Sequence, residues 1–142
     1  MSSNTAAANR EATSRRGMLW TGRIISALPV LMLLMSSIMK FARPPQVMEQ
    51  FVGKFGYPES TIFPIAVLEL SCAVLYVIPR TRVLGALLLT GYLGGAIATH
   101  VRVADPGFLI PFGLGVCIWA GVWLRDERLR ALLPLRKPSG GS

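Results

Sequence analysis

One acidic residue stands alone in the middle of an apolar run: Glu69, in Val67-Leu68-Glu69-Leu70-Ser71-Cys72. If that run crosses a bilayer, an ionised carboxylate there costs roughly 2.5–3.5 kcal/mol. It must face the interior of a helix bundle, find a polar or cationic partner, or carry a proton. Few residues can answer it. Lys40 ends one apolar run, His100 lies near the end of another, and Arg102 follows it. Ser71, Tyr92 and Thr99 are further hydrogen-bond partners. Lys40, Glu69, His100 and Arg102 therefore form a candidate polar pocket for a small polar ligand, a quinone headgroup or a proton. The plainer alternative is one interhelical hydrogen bond that fixes helix register, and the residues alone leave both readings open. His100 taken singly reads as an interfacial residue rather than a ligand.

Other reactive side chains argue against a metal or thiol centre. The chain has two cysteines, Cys72 and Cys117, and no CxxC. No Cys, His and acid cluster has zinc spacing, so no metal site is expected. Cys72 and Cys117 fall at similar depth in two runs of the same direction, which a dithiol pair would need. Burial as small apolar residues explains them better.

Four segments are long and apolar enough to position these groups across a bilayer, a job for about 20 residues each. They are 18–39, 60–78, 83–101 and 107–124. Between them lie breakers or charges: Lys40, Arg43-Pro44-Pro45, Pro79-Arg80-Thr81-Arg82, and Arg102 to Pro106. Residues 1–17 are polar, small and basic, and are expected to be disordered. Residues 136–142 read as a flexible tail. The first span has a charged start but no small-x-small site followed by polar chain, so it is expected to be retained rather than cleaved as a signal peptide. Glu69 then lies about nine residues from the end of its span, roughly 13 Å deep at 1.5 Å per residue. Lys40 and His100 are shallower.

Composition agrees. Hydrophobic residues make up 52% and charged residues 15%, with a mean hydropathy of +0.51; soluble domains carry about 25% charged residues. The net charge of +8 comes from short flanks rather than a continuous stripe, which excludes a nucleic-acid surface. Eleven Lys and Arg fall in the N-terminal flank, the second loop and the C-terminal flank, against four on the opposite side. The positive-inside rule places both termini in the cytoplasm. The same charge favours anionic lipid.

In the first loop, Pro44-Pro45 opens a segment in which Val47, Met48, Phe51, Val52 and Phe55 share one face. That pattern predicts a short interfacial helix. Helix association in lipid relies on small residues. Gly91 and Gly95 in the third span, and Gly113 and Gly121 in the fourth, are expected at helix contacts, within the chain or in a homodimer. Short loops then give an all-α, antiparallel four-helix membrane bundle. Pro29 is expected to kink the first span.

The sequence also resembles the DoxX-like family of four-span bacterial membrane proteins. The resemblance rests on Met39-Lys40-Phe41, Phe55-Gly56-Tyr57-Pro58, Leu68-Glu69-Leu70, Ile78-Pro79-Arg80-Thr81, the block from Leu84 through Gly91 to Arg102, and Trp123-Leu124-Arg125-Asp126. It spans about 18–135. The resemblance implies the bacterial cytoplasmic (inner) membrane. It also implies an accessory role beside a quinone-linked membrane oxidoreductase, with other redox subunits as partners. Lys40, Glu69, His100 and Arg102 fall in its recurring motifs and carry over as candidate binding residues, without a catalytic role. With no haem-ligand pair, flavin motif or CxxC, an independent enzyme is not expected. The rival expectations are a membrane scaffold without ligand and a small-molecule or proton transporter. A single four-helix bundle leaves little room for alternating access.

Overall fold

The computed structural model describes residues 2–132, with side chains for 9–10 and 12–131. The chain runs through α1 (Ser2–Ala42), α2 (Pro45–Met48), a π-helical turn (Glu49–Lys54), α3 (Ile62–Val77), α4 (Arg82–Arg102), α5 (Leu109–Arg125) and α6 (Glu127–Leu132). Four of these, α1, α3, α4 and α5, lie in stretches long and apolar enough to cross a membrane. They form an antiparallel ring in which α1 packs on α3 and α5, α3 on α4, and α4 on α5. The protein is a multi-pass membrane helix bundle.

The helices bury the opposite face from a soluble bundle. On α1, Gly22, Ser26, Pro29, Leu33, Ser37 and Lys40 point inward at spacings of three and four, the period of one helix face. Ile24, Leu28, Leu31, Met35 and Ile38 point outward and are exposed. An apolar exterior of this extent suits lipid and not water. Pro29 sits inside α1 without ending it.

Residues 2–17, expected to be disordered, continue α1 as helix. The segment is rich in Ala, Arg and Glu, which are strong helix formers, and it extends a helix already nucleated by the span. Every side chain described between Asn9 and Arg16 is exposed, so it adds no core. The 136–142 tail lies outside the described residues.

One end of the bundle is a packed core built from Ala73, Tyr76, Ala86, Leu89, Ile118 and Val122. Close approach there depends on glycines. A Cβ on Gly85 would collide with the backbone of Tyr76, and one on Gly121 with Ser26 Oγ. Gly22 abuts Arg125, where a Cβ would come within 2.7 Å of Cγ. Of the four glycines expected at helix contacts, Gly121 is at one. Gly91, Gly95 and Gly113 have open space where a Cβ would go, so they are not helix contacts within this chain.

The opposite end is open and roofed. Residues 44–55 fold back over it between two positive-φ positions, Arg43 (φ 49°) and Gly56 (φ 70°). Gly56 adopts this conformation without strain because it lacks a Cβ. The short helix begins at Pro45, as expected, and widens into a π turn over Glu49–Lys54. At this end Lys40, Arg43 and Lys54 pair with Glu69, Glu59 and Asp105.

Candidate functional site

Beneath the roof lies a cavity of about 490 Å³, bounded by α1, α3, α4, α5 and the π turn. Small-ligand pockets span about 300–1,000 Å³. Its walls are mostly apolar, with Leu33, Ile65, Leu68 and Leu114 among them. Gly91, Gly95 and Ala96 line one side. Small residues on α4 therefore make volume here.

One wall is polar. Lys40 Nζ stands 2.8 Å from Glu69 Oε2, and both residues are buried, at 6% and 2% exposure. Ser37 Oγ donates to the same oxygen at 2.9 Å. Lys40 also donates to Ser36 Oγ at 2.5 Å and to Tyr92 Oη at 3.3 Å, and lies 5.6 Å from the Phe51 ring centroid. The spacing explains the network. Ser36, Ser37 and Lys40 occupy the last two turns of α1, and Glu69 is on the inward row of α3 with Ala66 and Cys72. The lysine stem spans the depth difference between the two helices. The Lys40 and Ser37 bonds to the carboxylate both fall on Oε2. Glu69 lines the cavity beside Tyr92, whose hydroxyl also reaches the carboxylate.

A second cluster stands at the mouth. His100 Nδ1 is 2.8 Å from Asp105 Oδ2, and Lys54 Nζ is 2.9 Å from the same oxygen. The Gly107 amide donates to Asp105 Oδ1 at 3.1 Å. The Lys54 hydrogen bond, then the Gly107 amide and His100, hold the Asp105 carboxyl well below the usual carboxylate range. An ionised carboxylate only accepts, so Nδ1 is the protonated nitrogen of the ring. Nε2 is an acceptor whenever Nδ1 carries the only ring proton. His100 packs edge-on against Phe55, with ring centroids 4.9 Å apart. Gly107 makes room for it, since a Cβ there would lie 2.9 Å from the imidazole.

Lys40, Glu69 and His100 thus line one cavity. Arg102 does not line it. Its guanidinium donates to the Phe55 carbonyl and anchors the end of the roof. Tyr57 and Thr99 make a second anchor through a 2.7 Å hydroxyl contact. Asp105, Ser36, Ser37 and Lys54 were not legible as site residues. Asp105 precedes Pro106-Gly107 and reads as a helix cap, a role it also fills. Its place five residues after His100 was the available signal. Cys72 and Cys117 are both free thiols, Cys72 buried and Cys117 half-buried. Among the described residues, no three His, Cys, Asp or Glu side chains gather as metal ligands would.

The arrangement offers a cation and hydroxyls as donors, and a carboxylate oxygen and an imidazole nitrogen as acceptors, above an apolar wall. No curated protein and no solved structure matches the chain. A family model does match, over residues 24–122, which reaches into all four spans and includes every cavity-lining residue. With that match over well more than half of its length, the chain belongs to the DoxX-like family.

Proposed function

We propose that the protein is a ligand-binding membrane subunit that takes a small amphipathic molecule in the cavity under its roof. The observation that carries this reading is the placement of a buried, hydrogen-bonded ion pair on the wall of an otherwise apolar cavity. A buried pair is a poor source of stability, because desolvation offsets most of its attraction. A pair retained beside unfilled volume suits recognition. Lys40, Glu69, Tyr92 and His100 would hold the polar head, and the Leu33, Leu68 and Leu114 side would take the apolar part.

A quinone head fits this donor set. Its carbonyls need donors such as Lys40 Nζ and the Tyr92 hydroxyl. Its reduced hydroxyls need acceptors such as the Glu69 carboxylate and His100 Nε2. The protein would then serve as an accessory subunit of a redox system in the bacterial cytoplasmic membrane, with both termini cytoplasmic. The charge asymmetry and the family membership support that setting. A transporter is less well supported, since the packed layer around Tyr76 and Ile118 closes the other half of the bundle.

A second reading has its own observation. Glu69 Oε2 is already satisfied by Lys40 and Ser37, as a register lock in a scaffold protein would require. Titration of a short-tailed quinone into the protein in lipid nanodiscs separates the two. Ligand binding predicts saturable uptake, weakened roughly tenfold, or about 1.4 kcal/mol, by Glu69→Gln. No saturable uptake by the wild type would remove the quinone from the proposal.

A further inference from the structure

We propose that the arginine-rich end of the bundle holds a phosphate group, in a site formed by Arg82 and Arg125 with Arg23 beside them. This site is at the opposite end from the cavity and stands independently of it.

Three helices bring the cations together where α3 finishes. Arg125, the last residue of α5, donates through Nη2 to Tyr76 Oη at 3.3 Å and through Nε to the Gly121 carbonyl at 3.1 Å. Its guanidinium lies 5.7 Å from the Tyr76 ring centroid. Gly22 of α1 touches the Arg125 stem, and Arg23, the next residue, is exposed with its guanidinium 5.5 Å from the Trp20 ring centroid. Arg82 opens α4, one turn before Gly85, which lies against the Tyr76 backbone. Both Arg23 and Arg82 are close enough to Arg125 to act on its charge.

Nothing acidic balances them among the described residues. Asp126 is occupied as a cap, accepting the Arg128 and Leu129 amides. Glu127 pairs with Arg15 at 3.5 Å and Arg130 at 3.7 Å. Like charges gathered without a counter-charge repel one another. Arg82 adds an independent sign: its Nε is buried and makes no hydrogen bond among the described residues. A buried donor without an acceptor keeps its desolvation cost uncompensated. An oxyanion between the arginines would supply that acceptor and neutralise the repulsion. Guanidinium forks match phosphate oxygens in geometry.

Depth selects the source. Arg82 is the first residue of its span and Arg125 the last of its own, the level at which phospholipid headgroups lie. The occupant is therefore the phosphate of an anionic phospholipid in that leaflet, and a soluble phosphate is the other source of the same chemistry.

Native mass spectrometry of the full chain, released from vesicles of equal parts phosphatidylglycerol and phosphatidylcholine, tests the site. The wild type should retain phosphatidylglycerol in preference. Arg82→Gln should lower that retention about tenfold, or about 1.4 kcal/mol, while Arg16→Gln, which removes the same charge from an exposed position on α1, should not. Arg82 Nε makes no hydrogen bond among the described residues, so its loss should leave the bundle intact. A thermal-shift arm in lipid-free detergent compares sodium phosphate with sodium chloride at matched ionic strength. Stabilisation by phosphate that Arg82→Gln abolishes supports the site with a soluble occupant, and lipid retention without it supports a headgroup. Equal effects of Arg82→Gln and Arg16→Gln on lipid retention, or no Arg82-dependent effect in either arm, would overturn the proposal.

Discussion

Lys40 Nζ lies 2.8 Å from Glu69 Oε2, tying the last turn of α1 to the middle of α3 inside an apolar bundle. The two charges are not interchangeable with one charge alone. Each is tolerated because the other neutralises it and because Ser36, Ser37 and Tyr92 complete the hydrogen bonding.

Removing one partner should therefore be far worse than removing both. Lys40→Met strands an uncompensated carboxylate and is expected to cost about 3–5 kcal/mol. The double variant Lys40→Met with Glu69→Gln should recover most of that loss. Denaturation in detergent micelles checks this, and equal destabilisation by the single and double variants would show that the two side chains do not depend on each other.

The glycines divide by what surrounds them. Gly121→Ala places a methyl group against Ser26 and Tyr76 and is expected to cost about 1–3 kcal/mol, as overpacking does. Gly91→Ala meets open space and should change stability little. Melting temperatures of the two variants, measured side by side, test the distinction.

Acid should loosen the α4–α5 turn through Asp105. Its carboxyl is held below the ordinary value by Lys54 first, then by the Gly107 amide and His100. A depressed acid stabilises the fold fully above the ordinary aspartate value of 3.8 and loses that contribution as pH falls through the lower folded value. The stability gap between wild type and Asp105→Asn should therefore be widest near neutrality and close below pH 3.8. A gap that widens on acidification would contradict this assignment.

The roof should open when its anchors go. Lys54 pairs with Asp105, and Arg102 holds the Phe55 carbonyl. In an Ala96→Cys background, Lys54→Ala or Arg102→Ala should raise the rate at which a soluble maleimide reaches residue 96 on the cavity wall. Unchanged labelling would mean that the roof does not control access.

The parts of the site that the sequence exposes are those that break a local rule. Glu69 is conspicuous because a carboxylate in an apolar run needs a reason, and Lys40 because it ends the preceding run. The four spans follow from length and hydropathy alone. Asp105 is concealed because an acid before Pro-Gly already has an explanation as a cap. Gly22 and Gly85 are single glycines with no repeated row, whereas Gly91 and Gly95 form a conspicuous row that widens a cavity instead of joining helices. A spacing motif records that a residue is small and does not record what lies opposite. The helix over 2–17 is hidden for a related reason: its composition cannot build a core, but α1 propagates into it without one.

The volume beside the Lys40–Glu69 pair is proposed to receive a small molecule. Mass spectrometry of organic extracts from purified protein tests this, comparing wild type with Gly95→Leu, which adds a side chain on the cavity wall, and with the double variant Lys40→Met with Glu69→Gln, which removes both charges together. A compound recovered in near-stoichiometric amount from the wild type and lost from both variants is the expected result. Extracts indistinguishable among three equally stable proteins would contradict it.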